Sequence, residues 1–326
     1  MKKVLIVADQ PGWCFDRRAT ALQEYAPDGW DVRIEYNGGK GISDIPFEFA
    51  DLIFLLDPQK ANPYRQYFTA AGHKIPLVVS HNSGPGRPGY GLDETLNAAD
   101  YVIVNNHAAW SAGRFGQREY RACNISNGVD LKTFRSEVPW ADRPNKALWI
   151  GSTAKSEDDG DVKGFQTILS PLARVLAAKT GISPDFRTAT PGNSMDAVQM
   201  KDWYNGGRFL VCASKTEGTP NIALEGAACG CVVVTTAVGN MPELIINKRN
   251  GVIVHRRDTI GFMDAFEFTP PEQFEAMAEK ILDSIQSWDW SHRVPWYFAV
   301  FAQLIEGKVP RPFTYLNTPP AAVGGG

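Results

Sequence analysis

The stretch that decides the fold is Ser214–His255, which reads SKTEGTPNIALEGAACGCVVVTTAVGNMPELIINKRNGVIVH. Thr219 followed by Pro220 is typical of a helix N-cap and of the first helical position. We therefore expect a helix from Pro220 through Ala227 that stops at Gly230. The apolar run after this stop predicts a buried strand. Strand, Gly-rich turn, helix and strand in this order indicate an α/β domain.

Two carboxylates flank the predicted start of this helix. Glu217 is in the turn after the apolar strand Phe209–Ala213, and Glu225 is inside the helix. The backbone N–H groups of residues 218–222 lack helical partners and carry the positive end of the helix dipole, which suits a phosphate. Acceptor side chains on both sides of a phosphate site fit a nucleotide-sugar. The alternative is a capped helix whose acids face solvent.

The run EGTPNIALEGAACGCVVVTTAVGNMPELI, residues 217–245, resembles the donor-site motif of glycosyltransferase family 4, the retaining transferases of GT-B fold. The resemblance implies that Glu225 binds the ribose hydroxyls of the nucleotide. It implies that Glu217 is catalytic and binds the hydroxyls of the donor sugar. The backbone expected to bind the donor phosphate and sugar belongs to Gly218, Thr219, Pro220 and Asn221.

Length and composition are those of a globular protein with two domains. The chain has 326 residues, of which 44% are hydrophobic and 21% charged, and this length is too great for one ordinary core. The formal net charge of −3 gives no global electrostatic attraction to nucleic acid or membranes.

The cysteines and the first residues indicate the compartment. The five cysteines have no C-x2-C spacing, which argues against a disulfide framework and against a zinc site. The apolar run after Lys3 is too short for a secretory signal or a membrane span. We therefore expect a cytoplasmic protein, or one peripheral at the membrane, with no transmembrane segment.

Short apolar runs separated by helical or polar segments fill the first half of the chain. Continuous apolar strands of this kind predict a parallel sheet covered on both faces, with ligands at the carboxyl ends of its strands. The predicted strands after the first, Val4–Ala8, are Asp31–Tyr36, Leu52–Leu56, Pro76–Ser80, Tyr101–Val104 and Cys123–Ile125.

Two features of this half are similar to the same family. The loop after the first strand offers only Gly12 for close backbone approach, and the resemblance implies that Gly12 lies near the donor diphosphate. The run Val78-Val-Ser-His81 is similar to a family strand that ends in a histidine, which implies that His81 is catalytic and contacts the donor sugar. The alternative is a structural histidine. The Gly- and Pro-rich segment Ser83–Gly91 predicts a mobile loop at the cleft.

Candidate acceptor-binding residues lie in two helices of the first half. Asp16, Arg17 and Arg18 begin the helix after Gly12. In the predicted helix His107–Arg121, spacings of three and four put one aromatic and three arginines on one face. These residues are Trp110, Arg114, Arg118 and Arg121. Such a face suits an anionic glycan, a glycolipid or a nucleic acid, and the alternative is a solvated surface.

The second half begins after a charged, Pro-containing linker, Glu137–Lys146. The family pattern has an arginine just after the glycine that ends the next strand and a Lys-Gly pair further on, with both cations on the donor phosphates. Gly151 and Lys163-Gly164 match this pattern, which implies that Lys163 binds the donor diphosphate; the alternative is a surface lysine at a helix start. Ser152 stands in place of the arginine, and Lys155 is the candidate substitute. The turn Gly239–Glu243 is similar to the family's G-G-x-P-E turn and is expected to shape the fold.

The sequence thus predicts two Rossmann-like domains facing across a cleft. The expected domains are residues 1–140 with a returning helix at 290–316, residues 141–289 for the donor, and a disordered tail at 317–326. The resemblance implies transfer of a sugar from a nucleoside diphosphate to an acceptor hydroxyl with retention, without a metal or other cofactor. A nucleotide-sugar epimerase and a non-catalytic nucleotide-sugar binding protein are the alternatives.

Overall fold

The computed structural model describes residues 1–12, 14–82, 97–112, 121–153, 160–189 and 195–311. Several predicted features lie outside these ranges. They are the cleft loop Ser83–Gly91 from its first residue on, Arg114, Arg118, Lys155 and the tail at 317–326.

The chain divides into two compact units. One consists of Met1–Gly128 and the segment that begins at Trp290, and the other is Val129–Asp289. The division therefore precedes the predicted linker, Glu137–Lys146. The reason is that Val129 and Phe134 pack into the core of the second unit, and the Val129 N–H donates to the carbonyl of Trp288 at 2.9 Å.

The first unit contains a six-stranded parallel sheet with the order β2-β1-β3-β4-β5-β6. Along β1, Val4 and Ile6 pack into one core while Leu5 and Val7 pack into another, so both faces are covered. This explains the continuous apolar runs of the sequence. The strands are β1 (Lys2–Ala8), β2 (Trp30–Tyr36), β3 (Leu52–Leu55), β4 (Leu77–His81), β5 (Tyr101–Val104) and β6 (Ala122–Asn124).

The second unit contains a five-stranded parallel sheet with the order β11-β10-β9-β7-β8. Alternate residues of its central strands again face two cores, with Leu210 on one side and Val211 on the other. The strands are β7 (Lys146–Gly151), β8 (Ser183–Thr188), β9 (Phe209–Cys212), β10 (Val232–Thr236) and β11 (Val252–Val254).

Helices connect the strands and cover the sheets. Within the described ranges, the helices of the first unit include α1 (Cys14–Glu24), α2 (Ala61–Ala71), α3 (His107–Ala112) and α10 (Trp290–Ile305). Those of the second are α4 (Ser170–Thr180), α5 (Ala197–Asn205), α6 (Asn221–Ala228), α7 (Met241–Leu244), α8 (Thr259–Glu267) and α9 (Pro271–Gln286). Among the helices within the ranges given above, none is long and apolar enough to cross a membrane.

The last helix, α10, returns to the first unit, as predicted. Its aromatic side chains pack on the first sheet, where the ring of Phe301 lies 5.3 Å from that of Phe54 and the ring of Phe298 lies 4.8 Å from that of Trp30. Tyr297 and Phe301 are fully buried. The aromatic side chains of α10 therefore form part of the hydrophobic core on one face of the first sheet.

We expect Phe301→Ala to destabilise the first unit by about 3–5 kcal/mol, because it leaves a cavity between α10 and the sheet. Urea unfolding followed by circular dichroism measures this loss. The matched control is Phe268→Ala, since Phe268 is 72% exposed and its loss should stay within about 0.5 kcal/mol. Equal, small losses in both variants would show that α10 does not complete this core.

Candidate active site

The turn after β9 and the start of α6 form the centre of the candidate site. The helix begins at Asn221, one residue later than predicted, because the Pro220 carbonyl accepts the N–H of Ala223 at 2.9 Å and so acts as the cap. Thr219 is therefore not the N-cap, and its Oγ1 accepts from Asn240 Nδ2 at 3.3 Å. The helix ends at Ala228, before Gly230, which has a φ of +80°.

Glu217 and Lys163 form an ion pair beside this helix start. The Glu217 side chain is 14% exposed and that of Lys163 is 40% exposed. The Ser214 hydroxyl donates to the same carboxylate oxygen, Oε1, at 2.7 Å. The structure thus brings together Lys163 and Glu217, which are far apart in the sequence. The family resemblance implies that both residues bind the same donor molecule. Ser214 was not among the predicted site residues. A polar residue directly after a strand of a parallel sheet does, however, indicate a ligand-binding position.

A close backbone approach places Lys163 next to Glu217. The N–H of Lys215 donates to the carbonyl of Val162 at 2.7 Å. Gly164 has a φ of +73°, and a Cβ there would lie 2.6 Å from the carbonyl oxygen of Ala213. Only glycine fits this position, because a side chain would be strained and would push the turn off the end of β9.

The Gly239 turn packs against the backbone of Glu217 and Gly218. Gly239 has a φ of +55°, and a Cβ there would lie 2.3 Å from the carbonyl oxygen of Gly218. Its neighbour Asn240 donates to Thr219 as described above. This turn therefore shapes the backbone that carries Glu217.

Glu225 lies within α6 and is buried. Its Oε2 accepts a hydrogen bond from the hydroxyl of Tyr204 at 2.9 Å. A buried carboxylate requires such partners. Tyr204, at the end of α5, was not singled out from the sequence, because its contact with Glu225 is made only in the folded domain.

Gly151 ends β7 and packs on an aromatic ring. A Cβ at Gly151 would lie 2.8 Å from the ring of Trp149, so a side chain at this position would force the ring or the end of the strand to shift. Ser152, which replaces the arginine of the family pattern, is exposed.

In the first unit, Gly12 and Asp16 close the turn between β1 and α1. The N–H of Gly12, which has a φ of +78°, donates to Asp16 Oδ2 at 2.7 Å, and the hydroxyl of Tyr36 donates to Asp16 Oδ1 at 2.5 Å. Burial, followed by this bond to Asp16, raises the pKa of Tyr36 to about 12. Asp16 thus holds the loop that presents Gly12.

The predicted acceptor-facing arginine and aromatic side chains need two corrections. Trp110 is 6% exposed and lies in the core beneath α3, so it cannot form a surface patch. Arg18 is 2% exposed, and its guanidinium donates to Ser80 Oγ and to Asn82 Oδ1, both at 2.6 Å. Helical spacing predicts which residues share a face, but it does not tell which face is buried. Arg17 is exposed, as the prediction requires.

His81 is the last residue of β4 and is buried. Arg18 holds the residues on both sides of it, Ser80 and Asn82, and so fixes the end of the strand. Burial lowers the pKa of His81 to about 4. The imidazole is therefore neutral at neutral pH.

The part of the chain that the structure describes contains no group of three or more His, Cys, Asp or Glu side chains that could hold a metal ion.

Comparison with known families agrees with this architecture. The profile described as Glycosyl transferases group 1 matches residues 176–286, about a third of the chain, and this segment carries Glu217, Glu225 and the Gly239 turn.

Among curated proteins, D-inositol 3-phosphate glycosyltransferase 2 of Catenulispora acidiphila is 26% identical over 273 residues, which cover 71% of this chain and 62% of that protein. D-inositol 3-phosphate glycosyltransferase 1 of the same organism is 28% identical over 139 residues, which cover 42% of this chain and 32% of that protein. The chain thus spans less than two thirds of the length of these relatives.

Two solved structures are similar over nearly the whole chain. Sucrose-phosphate synthase from Thermosynechococcus elongatus has a TM-score of 0.68 at 13% identity and covers 94% of this chain and 100% of its own. HepE of Anabaena in complex with UDP-glucose has a TM-score of 0.69 at 12% identity and covers 93% of this chain and 100% of its own. At these identities the likeness concerns the fold.

The chain therefore has the GT-B fold, with two Rossmann-like units built on parallel sheets, and the predicted fold class is confirmed. Together with the group 1 profile, these matches also confirm the predicted resemblance to GT-B glycosyltransferases. The assignment to family 4 and the roles of the individual site residues stay predictions.

We expect Gly239→Ala to destabilise the second unit more than Gly181→Ala does. Both glycines have positive φ, but a Cβ at Gly181 meets nothing within 4 Å. Gly181→Ala should cost about 1 kcal/mol from the backbone alone, and Gly239→Ala at least about 1 kcal/mol more, because the new methyl displaces the Gly218 carbonyl. Urea unfolding of both variants gives the comparison, and equal losses would mean that the turn tolerates the methyl group.

We expect the low pKa of His81 to make stability fall as the pH drops from about 6.5 to about 4. In this window the unfolded chain binds a proton that the native imidazole does not, so the free energy of unfolding decreases by up to about 3 kcal/mol. Unfolding midpoints between pH 4 and 8 measure the slope. His81→Gln should lack this component, and an unchanged slope in that variant would contradict the assignment.

Proposed function

We propose that the protein is a retaining glycosyltransferase of family 4, which transfers a sugar from a nucleoside-diphosphate sugar to an acceptor hydroxyl. The observation that carries this proposal is the Lys163–Glu217 ion pair at the start of α6. It provides one cation, one acceptor carboxylate and the backbone N–H groups of a helix N-terminus at one place. These groups match the phosphate and the sugar hydroxyls of such a donor.

In this proposal the donor diphosphate binds at the N-terminus of α6, against the backbone of residues 218–221. It takes Lys163 as its counter-ion, and Glu217 is then released from Lys163 to accept hydrogen bonds from the sugar hydroxyls. Glu225, near Tyr204, accepts from the ribose hydroxyls. UDP is the first nucleotide to test, because the HepE structure holds UDP-glucose.

Other donor contacts follow from the resemblance alone. Gly12 and Gly151 are proposed to allow close approach of backbone to the diphosphate, and His81 to orient the donor sugar. A neutral His81 suits this role, because it offers a hydrogen bond without adding a charge.

The reaction needs no enzyme nucleophile in this account. The acceptor attacks on the face from which the diphosphate leaves, and the leaving phosphate takes the proton of the acceptor hydroxyl. Catalysis then depends on positioning and on stabilising the negative charge that develops on the diphosphate. The helix N-terminus and Lys163 supply that stabilisation, so we propose that the reaction requires no metal ion.

The acceptor is proposed to carry phosphate or another anionic group. The relatives named above act, by their names, on D-inositol 3-phosphate, which is a phosphate ester. Arg17, Arg114 and Arg118 are the candidate contacts, since Arg18 is buried and already bonded. An anionic glycan, a glycolipid and a nucleic acid remain within this class.

We expect Glu225→Ala and Glu217→Ala to separate nucleotide binding from transfer. Glu225→Ala should weaken binding of free UDP by roughly 1.5–3 kcal/mol, because it removes hydrogen bonds to a charged group. Glu217→Ala should leave UDP affinity nearly unchanged, since Lys163 stays available, and should reduce transfer. Calorimetry gives the affinities, and Glu279→Ala, an exposed acid on α9, is the control.

Assays of sugar transfer decide between the candidate functions. Transfer that survives excess EDTA and yields a product with the anomeric configuration of the donor, read by NMR, supports the proposal. Loss of activity in EDTA that Mn²⁺ or Mg²⁺ restores would contradict metal independence. Free sugar without any acceptor product would favour an epimerase, and donor binding with neither transfer nor slow hydrolysis would favour a binding protein.

A further inference from the structure

One arginine that no motif singles out contacts the turn that carries Lys163. Arg257 lies in the loop between β11 and α8 and is half-buried. Its Nε donates to the carbonyl of Ala213 at 3.0 Å, and its Nη2 donates to the carbonyls of Asp161 at 2.9 Å and Val162 at 3.2 Å. One guanidinium thus joins the end of β9 to the segment just before Lys163.

These three carbonyl groups belong to the two segments that build the candidate phosphate site. Ala213 directly precedes Ser214, which holds Glu217, and Val162 directly precedes Lys163. The planar guanidinium can bond to several acceptors at once, which an ammonium group on a flexible stem does less well. Its positive charge also offsets the partial negative charge of the three carbonyl oxygens that it contacts.

The packing at Gly164 shows how tightly the two segments meet. A Cβ at Gly164 would lie 2.6 Å from the Ala213 carbonyl oxygen and 3.3 Å from Arg257 Nη2. The turn is therefore enclosed between β9 and the guanidinium. A shift of this turn would separate Lys163 from Glu217.

We propose that Arg257 is a positioning residue of the donor site, which holds the Lys163 turn against the end of β9 so that Lys163 faces a bound diphosphate. This inference rests on the proposed function, because it concerns the affinity for a nucleoside diphosphate. Arg257 acts through Lys163 and need not touch the nucleotide.

The neighbouring Arg256 is a matched control. It has the same side chain, but it is exposed and pairs with Asp258 through Nε and Oδ2 at 2.5 Å. It makes none of the carbonyl contacts described for Arg257. Loss of Arg256 therefore removes a positive charge from the same loop without releasing the Lys163 turn.

The test measures binding of UDP, GDP and ADP to the full chain by calorimetry and continues with the tightest of them. Arg257→Ala should weaken binding by about tenfold or more, whereas Arg256→Ala should stay within about twofold of the wild type. Arg257→Lys should recover only part of the loss, and it gives a second variant if Arg257→Ala folds poorly. Ethylguanidinium added at millimolar concentration should restore part of the affinity of Arg257→Ala.

A double-mutant cycle separates positioning from an independent contribution. In a Lys163→Met background, adding Arg257→Ala should weaken binding by less than about threefold, because the residue through which Arg257 acts is already lost. Wild-type affinity in Arg257→Ala, or full additivity with Lys163→Met, would overturn the inference while the proposed function stands. Failure of the wild-type chain to bind any of the three nucleotides would overturn the proposed function and this inference together.

Discussion

The ion pair between Lys163 and Glu217 is the interaction on which the candidate donor site of the second unit depends. Neither partner is fully exposed, and a hydroxyl from Ser214 holds the shared carboxylate oxygen. A half-buried pair of this kind is screened less by solvent than a surface pair. A ligand that carries negative charge can compete with Glu217 for Lys163, so the pair keeps a cation ready for a phosphate without leaving it unpaired.

Backbone geometry at two glycines makes this pair possible. Gly164 and Gly239 both have positive φ, and both lie against backbone carbonyl oxygens too closely for a side chain. They bring the Lys163 turn and the Glu217 turn together at the carboxyl edge of a parallel sheet. Ligands of open α/β sheets bind at this edge, because loops from neighbouring strands converge there.

The sequence predicts local structure well in this protein and long-range contacts less well. The strands and α6 follow from apolar runs and from the Thr-Pro and Gly signals of Ser214–His255, with an error of one residue at the helix start. Spacing on a helix did not reveal that Arg18 and Trp110 are buried. The linker Glu137–Lys146 was inferred from its charges, but Arg143 within it is buried and donates to the carbonyl of Val138 at 2.8 Å. The bonds of Tyr204 and Arg257 depend on distant segments, which no short motif encodes.

A crystal structure of the chain with bound UDP would show directly whether Lys163 exchanges Glu217 for the donor diphosphate. We expect the diphosphate to lie at the N-terminus of α6, within hydrogen-bonding distance of Lys163 Nζ, and Glu217 no longer to contact Lys163. A diphosphate bound elsewhere, with the Lys163–Glu217 pair intact, would contradict the proposed donor site.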